Sequence, residues 1–332
     1  MEIKRSEVNL NPIKFVCPPP PGKPARPARR NFLKRHCHRA DPLAKALMPS
    51  LLRALALFVL AATTAHAAEP LRVMSFNIRY ATESDGANAW SKRTEFFFDT
   101  VKAFGPDLVG FQEVLAVQHD AITARLSGYA FAGVARDDGK RKGEWSLIAY
   151  RTSRFTAIAG GDFWLSETPE IPGSKSWDAA LTRLCSWVRL RETATGREFL
   201  FANTHFDHRG VIARQEASRV ISTRLPLIAA NLPAILTGDL NINEDNPAYA
   251  VLTRPTTPGA IRWIDTFRAV YPTRTPDELT FNGFKGGTAG SRIDFVFHTA
   301  DFTTTAAAID RTARDGRFPS DHYPVTAVLR LK

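Results

Sequence analysis

The feature of this sequence that most constrains its fold is a series of short apolar runs, each closed by polar or ionisable residues. The runs are Leu71–Ile78, Leu108–Gln112, Ser146–Tyr150, Trp187–Leu190, Phe199–Asn203, Ala234–Leu236, Ile293–Phe297 and Val325–Leu331. Apolar runs this short, bounded by turn formers, read as strands. Helical patterns lie between several of them. One spans 92–104, with Ser91 as its cap and Gly105-Pro106 as its stop; others span 115–126 and 211–230. Asn246-Pro247 reads as an N-cap followed by proline at the first helical position. "RETATGRE" reads as a hairpin connection through Gly196. Residues 68–332 show no Pro/Gly/Ser linker and no repeat of fixed period. Hairpins mixed with helical crossovers predict a layered α/β domain.

The strand ends carry the chemistry. In "AILTGDLNINED" (234–245) an acid and an amide, Asp239 and Asn241, follow a buried run two positions apart. In extended chain, residues i and i+2 project to one face, so both would point the same way with Leu240 opposed. Alone, the pattern suits an ordinary turn. Five other segments do likewise: "VMSFNIR" carries Asn77, "LVGFQEV" Glu113, "FANTHFDH" His205 and Asp207, "SRIDFVF" Asp294, and "FPSDHYPV" Asp321 and His322. Polar groups converging at strand ends are how α/β enzymes build clefts. Carboxylate and amide oxygens suit Mg²⁺ or Mn²⁺. The histidine spacing of "HFDH" matches no zinc signature, which leaves His205 and His322 for phosphate contact or transition-state stabilisation.

Taken in this order, "MSFNIR", "GFQEV", "NTHFDH", "TGDLN", "RIDFVF" and "SDHYPV" resemble the endonuclease/exonuclease/phosphatase family, in a bacterial branch near the deadenylase–nocturnin group. The resemblance covers essentially all of 71–331. It implies a four-layer α/β sandwich, two mixed β-sheets packed face to face and flanked by helices, that cleaves phosphate esters with a metal. It further implies Glu113 as the principal Mg²⁺ ligand, with Asn77 and Asp321 near the metal. Asp239 resembles the carboxylate that activates or positions the attacking water, and Asn241 the amide that holds the nucleophile or a phosphate oxygen. His205 and His322 resemble the imidazoles on the scissile phosphate. Asp294 resembles the carboxylate that orients one of the two, and the sequence does not say which.

Charge and leader bear on substrate and location. The chain's net charge is +11, but residues 1–47 carry +8 of it in a Pro/Arg-rich stretch expected to be disordered. "MPSLLRALALFVLAATTAHAAEP" then has the layout of a signal peptide, 48–67, with an A-x-A site ending at Ala67. The remainder, 68–332, is the expected catalytic domain; it is near neutral at +2 and keeps one cysteine, Cys185. Export to the periplasm or outside, no stable membrane insertion after cleavage, and a monomer are expected. The 1–47 extension reads as the product of a misassigned start.

Other residues are weaker candidates. Asp207 and His208 adjoin His205. Arg79, Arg93 and Arg183 could meet a substrate anion, though structural roles suit each. The segment 163–183, with two tryptophans, reads as a long loop able to stack a base or sugar. Arg136, Lys140, Arg141 and Lys142 could form a local basic rim. The expected substrate is a phosphate ester, either nucleic acid or a small phosphorylated molecule. A nuclease or phosphodiesterase is placed first and a sugar, nucleotide or inositol phosphatase second. A non-catalytic module of the same fold is set aside because every expected position is filled.

Overall fold

The computed structural model describes residues 69–332. The expected 1–47 extension and 48–67 signal peptide lie outside them. The domain is built from two six-stranded sheets. The first has the order β11-β12-β1-β2-β4-β3, from Phe302–Ile309, Val325–Leu331, Leu71–Asn77, Leu108–Val114, Trp145–Arg151 and Tyr129–Ala132. The second has the order β5-β6-β7-β8-β10-β9, from Phe155–Trp164, Leu184–Glu192, Glu198–His205, Ala234–Asp239, Asp294–His298 and Ile264–Asp265. Both are mixed: β1 and β2 run parallel, as do β7 and β8, while β12 pairs with β1 and β10 with β8 antiparallel.

Helices α1 (Trp90–Phe104) and α2 (Ala116–Arg125) cover the outer face of the first sheet, burying Phe97, Val101 and Ile122 with Met74, Phe76 and Phe111. Helices α3 (Val211–Ala229) and α4 (Pro247–Thr253) cover the outer face of the second, where Ile221, Leu225 and Tyr249 meet Leu200, Leu236, Phe295 and Phe297. Val73, Leu108, Ile148, Val188, Phe201, Ile235 and Val296 fill the space between the sheets. This is the expected four-layer sandwich. A short helix, α5 (Thr266–Val270), follows β9.

Local chemistry explains most boundaries. Asn246 caps α4, its side chain accepting the Ala248 N–H, with Pro247 at the first helical position as expected. Gly105 takes the left-handed conformation that ends α1. Ser91 does not cap α1; the helix begins one residue earlier, at Trp90, with no side-chain cap. Three longer strands escape the apolar-run reading: β3, β5 and β11. In β5 the exposed positions are Thr156 and Ile158, and in β11 they are threonine and alanine, so apolar residues do not mark the buried face.

The sheets approach most closely beneath their polar ends. A Cβ on Gly110 of β2 would sit 2.0 Å from Thr237 Oγ1 and 2.4 Å from Asn203 Oδ1 on the facing sheet. A buried polar seam fills this contact. Gln112 Nε2 donates to Asn203 Oδ1 at 2.7 Å, Thr237 Oγ1 donates to the same oxygen at 3.1 Å, and Asn203 Nδ2 reaches the Phe111 carbonyl at 2.8 Å. Polar groups buried between sheets persist when hydrogen-bonded to one another. Gly110→Ala is therefore expected to force the sheets apart at a cost of about 1–3 kcal/mol. Urea unfolding of the variant measures it, and an unchanged midpoint would contradict the close approach.

Candidate active site

Loops and strand ends from both sheets meet at one cleft of about 430 Å³, lined by Arg79, Tyr80, Glu113, Glu144, Arg183 and His205 and, on its other sides, by Asp239, Asn241, Asp321 and His322. Asn77 lies buried at the end of β1. Its Nδ2 donates to Glu113 Oε1 at 3.0 Å and to Asp239 Oδ2 at 2.9 Å. Its Oδ1 accepts the Arg79 N–H at 2.9 Å, which fixes the amide's orientation. One carboxamide thus joins acids from opposite sheets. Glu113 has a left-handed backbone, φ 63°, beside an irregularity in the β2–β4 pairing. A bulge that re-aims one side chain is a common device at active sites. The Glu113 carboxylate also accepts the Tyr80 N–H at 3.0 Å.

Asp239 and Asn241 reach the cleft by a route other than the extended pleat. The strand ends at Asp239, and Asn241 turns left-handed at φ 49°. Its N–H donates to Asp239 Oδ1 at 3.0 Å, an Asx turn that closes the bend, while Leu240 is buried in the core. Asn241 Nδ2 donates to the Phe206 carbonyl and to His205 Nε2, both at 3.1 Å. A carbonyl only accepts, so the amide orientation is fixed and His205 Nε2 is an acceptor. The ring proton of His205 therefore sits on Nδ1, the nitrogen 3.9 Å from Glu144 Oε2.

The second imidazole is wired differently. Asp294 pairs with His322, Oδ2 to Nδ1 at 2.9 Å, and His322 Nε2 lies 3.7 Å from Asp239 Oδ2. Burial works against charge on both histidines. At His322 the carboxylates of Asp294 and Asp239 outweigh it and hold the ring protonated. At His205 burial is reinforced by the Arg183 and Arg136 guanidinium groups, and the ring stays neutral. Burial and then Asp294 push Asp239 up to about 7. Burial also raises Asp321, with Glu113 adding to the effect against the pull of His322.

These acids fit a hard cation. Glu113, Asp239 and Asp321 bring carboxylate oxygens to the cleft, and burial first, then a neighbouring carboxylate, raises Asp239 and Asp321, a cost that a bound cation would relieve. Asp239, Asp294 and His322 also bring donor atoms within 4.8 Å of one another. His322 is the poorer ligand there, because its Nδ1 is held by Asp294 and the ring is charged. Asn77 spends its amide on the two acids and on Arg79, holding the donors in place.

The structure adds residues that the sequence left aside. Glu144, at the foot of β4, holds Arg136 through contacts of 2.5 and 2.9 Å and faces His205. Its signal was "GEW", an acid directly before a strand that neighbours β2. Arg183 is buried at the cleft wall, with Nε 3.6 Å from Asp207 Oδ2 and Nη2 3.2 Å from His208 Nδ1. Arg93 is structural: it donates to the carbonyls of Ile78, Arg79, Asn88 and Pro319. Trp164 belongs to β5 and is buried, donating to the Arg136 carbonyl, so it is no stacking platform. The expected basic rim does not form as such, because Arg136 is buried against Glu144 and Arg141 pairs with Asp120.

A sandwich whose strand ends converge on buried acids, one protonated imidazole and one neutral imidazole has the site of a phosphoester hydrolase. The sequence profile of the endonuclease/exonuclease/phosphatase family matches residues 74–322, and the chain belongs to that family. An endonuclease/exonuclease/phosphatase structure from Bacteroides vulgatus is 33% identical, with a TM-score of 0.73 over 79% of this chain and 99% of that one. The mannosyl-6-phosphatase Bt3783 of Bacteroides thetaiotaomicron is 36% identical, with a TM-score of 0.69 over 78% of this chain and 99% of that one. Nocturnin of Drosophila melanogaster is 25% identical over 185 residues, which is 47% of this chain and 29% of that protein. The chain spans between 29% and 54% of the length of the curated relatives it matches.

Asp207 organises the cleft wall. Burial raises its carboxyl, but N–H groups of Gly210, Arg209, Leu181 and Ala180 outweigh this and hold it well below the usual carboxylate range. Asp207→Ala is expected to cost about 1–3 kcal/mol by leaving buried N–H groups unpaired. The sign follows from the lowered native value. The contribution is complete above the unfolded value of about 3.9 and drains as pH falls toward the native one. Thermal or urea unfolding of both proteins from pH 7 down to pH 2 checks this. A gap between them that widens on acidification would contradict it.

Proposed function

We propose that this chain is a metal-dependent hydrolase of phosphate esters that acts on a small phosphorylated molecule. The cleft carries this reading. Its volume, about 430 Å³, is that of a small-ligand site, and the arginines that could have extended it into a phosphate-tracking surface are spent on Glu144 and Asp120. Among the sequence expectations this favours the phosphatase over the nuclease. Support also comes from Bt3783, whose name records a mannosyl-6-phosphatase.

Glu113, Asp321 and Asp239 would hold Mg²⁺ or Mn²⁺, with Asn77 fixing two of them. The cation supplies charge neutralisation at the phosphoryl oxygens. The chain's own groups do the rest. Asp239, fixed by the Asn77 amide and the Asn241 N–H, orients a water and takes its proton. The His322 imidazolium, held by Asp294, meets a non-bridging oxygen as charge accumulates. Neutral His205 offers its Nδ1–H on the Glu144 side and is steadied by Asn241. We also propose export, which rests on the sequence of 48–67.

The test uses the purified protein with Mg²⁺ or Mn²⁺ and an EDTA control. Phosphomonoesters (hexose phosphates, nucleotides, p-nitrophenyl phosphate) are offered beside RNA, DNA and an aryl diester. EDTA-sensitive release of phosphate from small monoesters is expected, with little cleavage of polymers. Efficient polymer cleavage would overturn the substrate reading in favour of a nuclease. Asp239→Asn and His322→Ala are expected to remain folded by circular dichroism and to lose about 100-fold or more in kcat. Near-normal turnover in either would remove the role given to it.

A further inference from the structure

The far wall of the cleft, opposite the acids, has a chemistry that phosphoryl transfer does not use. It is made by two segments, Leu181–Arg183 and Asp207–Gly210, which Asp207 ties together by accepting the N–H groups of Leu181, Arg209 and Gly210 at 3.0, 2.9 and 2.7 Å. Leu181 and His208 present their side chains to the cleft, and both are exposed. Behind them Arg183 is 5% exposed.

Arg183 decides what His208 can do. The guanidinium is a donor only, so the 3.2 Å contact from Nη2 makes His208 Nδ1 the acceptor. The ring proton is then on Nε2, which has no hydrogen-bond partner among the described residues. Burial, then the neighbouring Arg183, holds the ring below the ordinary histidine range and so neutral. The result is an oriented, uncharged N–H donor standing beside an apolar leucine.

We propose that His208 is a specificity-determining residue, its Nε2–H hydrogen-bonding a hydroxyl or ring oxygen of a polyol leaving group whose apolar face lies against Leu181. The inference rests on the phosphoesterase reading above. It assigns the cleft's two ends separate tasks: the acid end takes the phosphoryl group, and the Leu181–His208 end reads what is attached to it. A donor that a bound leaving group shields from water discriminates against substrates that leave it unpaired.

The experiment compares wild type, His208→Ala and His208→Gln on a hexose 6-phosphate and on p-nitrophenyl phosphate, both with Mg²⁺. The aryl leaving group offers no hydroxyl to the donor. His208→Ala is expected to lose at least about 10-fold more in kcat/KM on the hexose phosphate than on the aryl phosphate. His208→Gln, whose amide restores an N–H at a similar reach, is expected to recover part of that difference. Equal losses on both substrates, or no loss on either, overturn the assignment while leaving the phosphoesterase intact. A wild type inert toward every monoester overturns both readings, a pattern distinct from an active enzyme that does not discriminate. Nitrogen-15 NMR of the His208 ring gives a second check: the Nε2–H tautomer is expected, and a resting Nδ1–H tautomer overturns the proposal.

Discussion

The site depends on the single amide of Asn77. It stands at the end of β1 and donates to Glu113 on its own sheet and to Asp239 on the other, at 3.0 and 2.9 Å. Without those bonds two carboxylates would face each other across the sheet interface, and like charges at that range repel strongly in a poorly solvated setting. The donor cannot turn away, because its oxygen is already bound to a backbone N–H. The polar seam beneath it, Gln112 with Asn203 and Thr237, sets the spacing of the two sheets at which the amide reaches both acids. Packing and catalytic geometry are therefore the same constraint seen at two depths.

From that fixed floor the protein derives two unlike histidines. His322 is surrounded by Asp294 and Asp239, and His205 by Arg183 and Arg136 at longer range. Both are buried to a similar degree, but His322 has a carboxylate hydrogen-bonded to its ring at 2.9 Å, whereas His205 is bonded to the Asn241 amide and its nearest carboxylates stand 3.5 and 3.9 Å away. The surrounding loops are pinned from behind. Arg292, fully buried, bridges Glu244 and Asp265, and Arg268 joins Glu244 to Glu278. Buried ion networks of this kind contribute more to geometric definition than to net stability. Here they hold the segment after Asn241 against the segment before Asp294.

Much of this was legible in the sequence, for identifiable reasons. Strands that are buried on both faces, such as β1, β2, β8 and β12, advertise themselves as apolar runs. Strand β5 exposes an isoleucine beside a threonine and has glycines in its middle, and β11 exposes threonine and alanine, so period and composition both fade. The site residues that close a strand stood out: Asn77, Glu113, His205, Asp239 and Asp294 could be named one by one, and the structure brings them to one cleft. Their partnerships could not be named. That Asp294 holds His322 depends on how two sheets stack, and that Asn241 holds His205 on the pairing of β7 with β8, neither of which spacing along the chain encodes. Glu144 was overlooked and Arg183 ranked only as a weaker candidate for the same reason, since each lies before a strand where an isolated charge normally reads as solvated. The turn at Asn241 was misjudged because an extended pleat was assumed where an Asx bend intervenes.

The segment just before β12 finishes the cleft. Ser320 Oγ donates to the Asn77 carbonyl across 243 positions of chain, at 2.7 Å, and Arg93 in α1 binds the Pro319 carbonyl. Asp321 and His322 follow directly, and β12 then pairs with β1. The first strand of the domain and nearly its last residues are thus parts of one apparatus. On a ribosome making the chain from its N-terminus, every described element except β12 emerges before His322 and the last carboxylate arrive. A domain made only as far as β11 lacks Asp321 and His322 and the Ser320 hydrogen bond that ties them to β1.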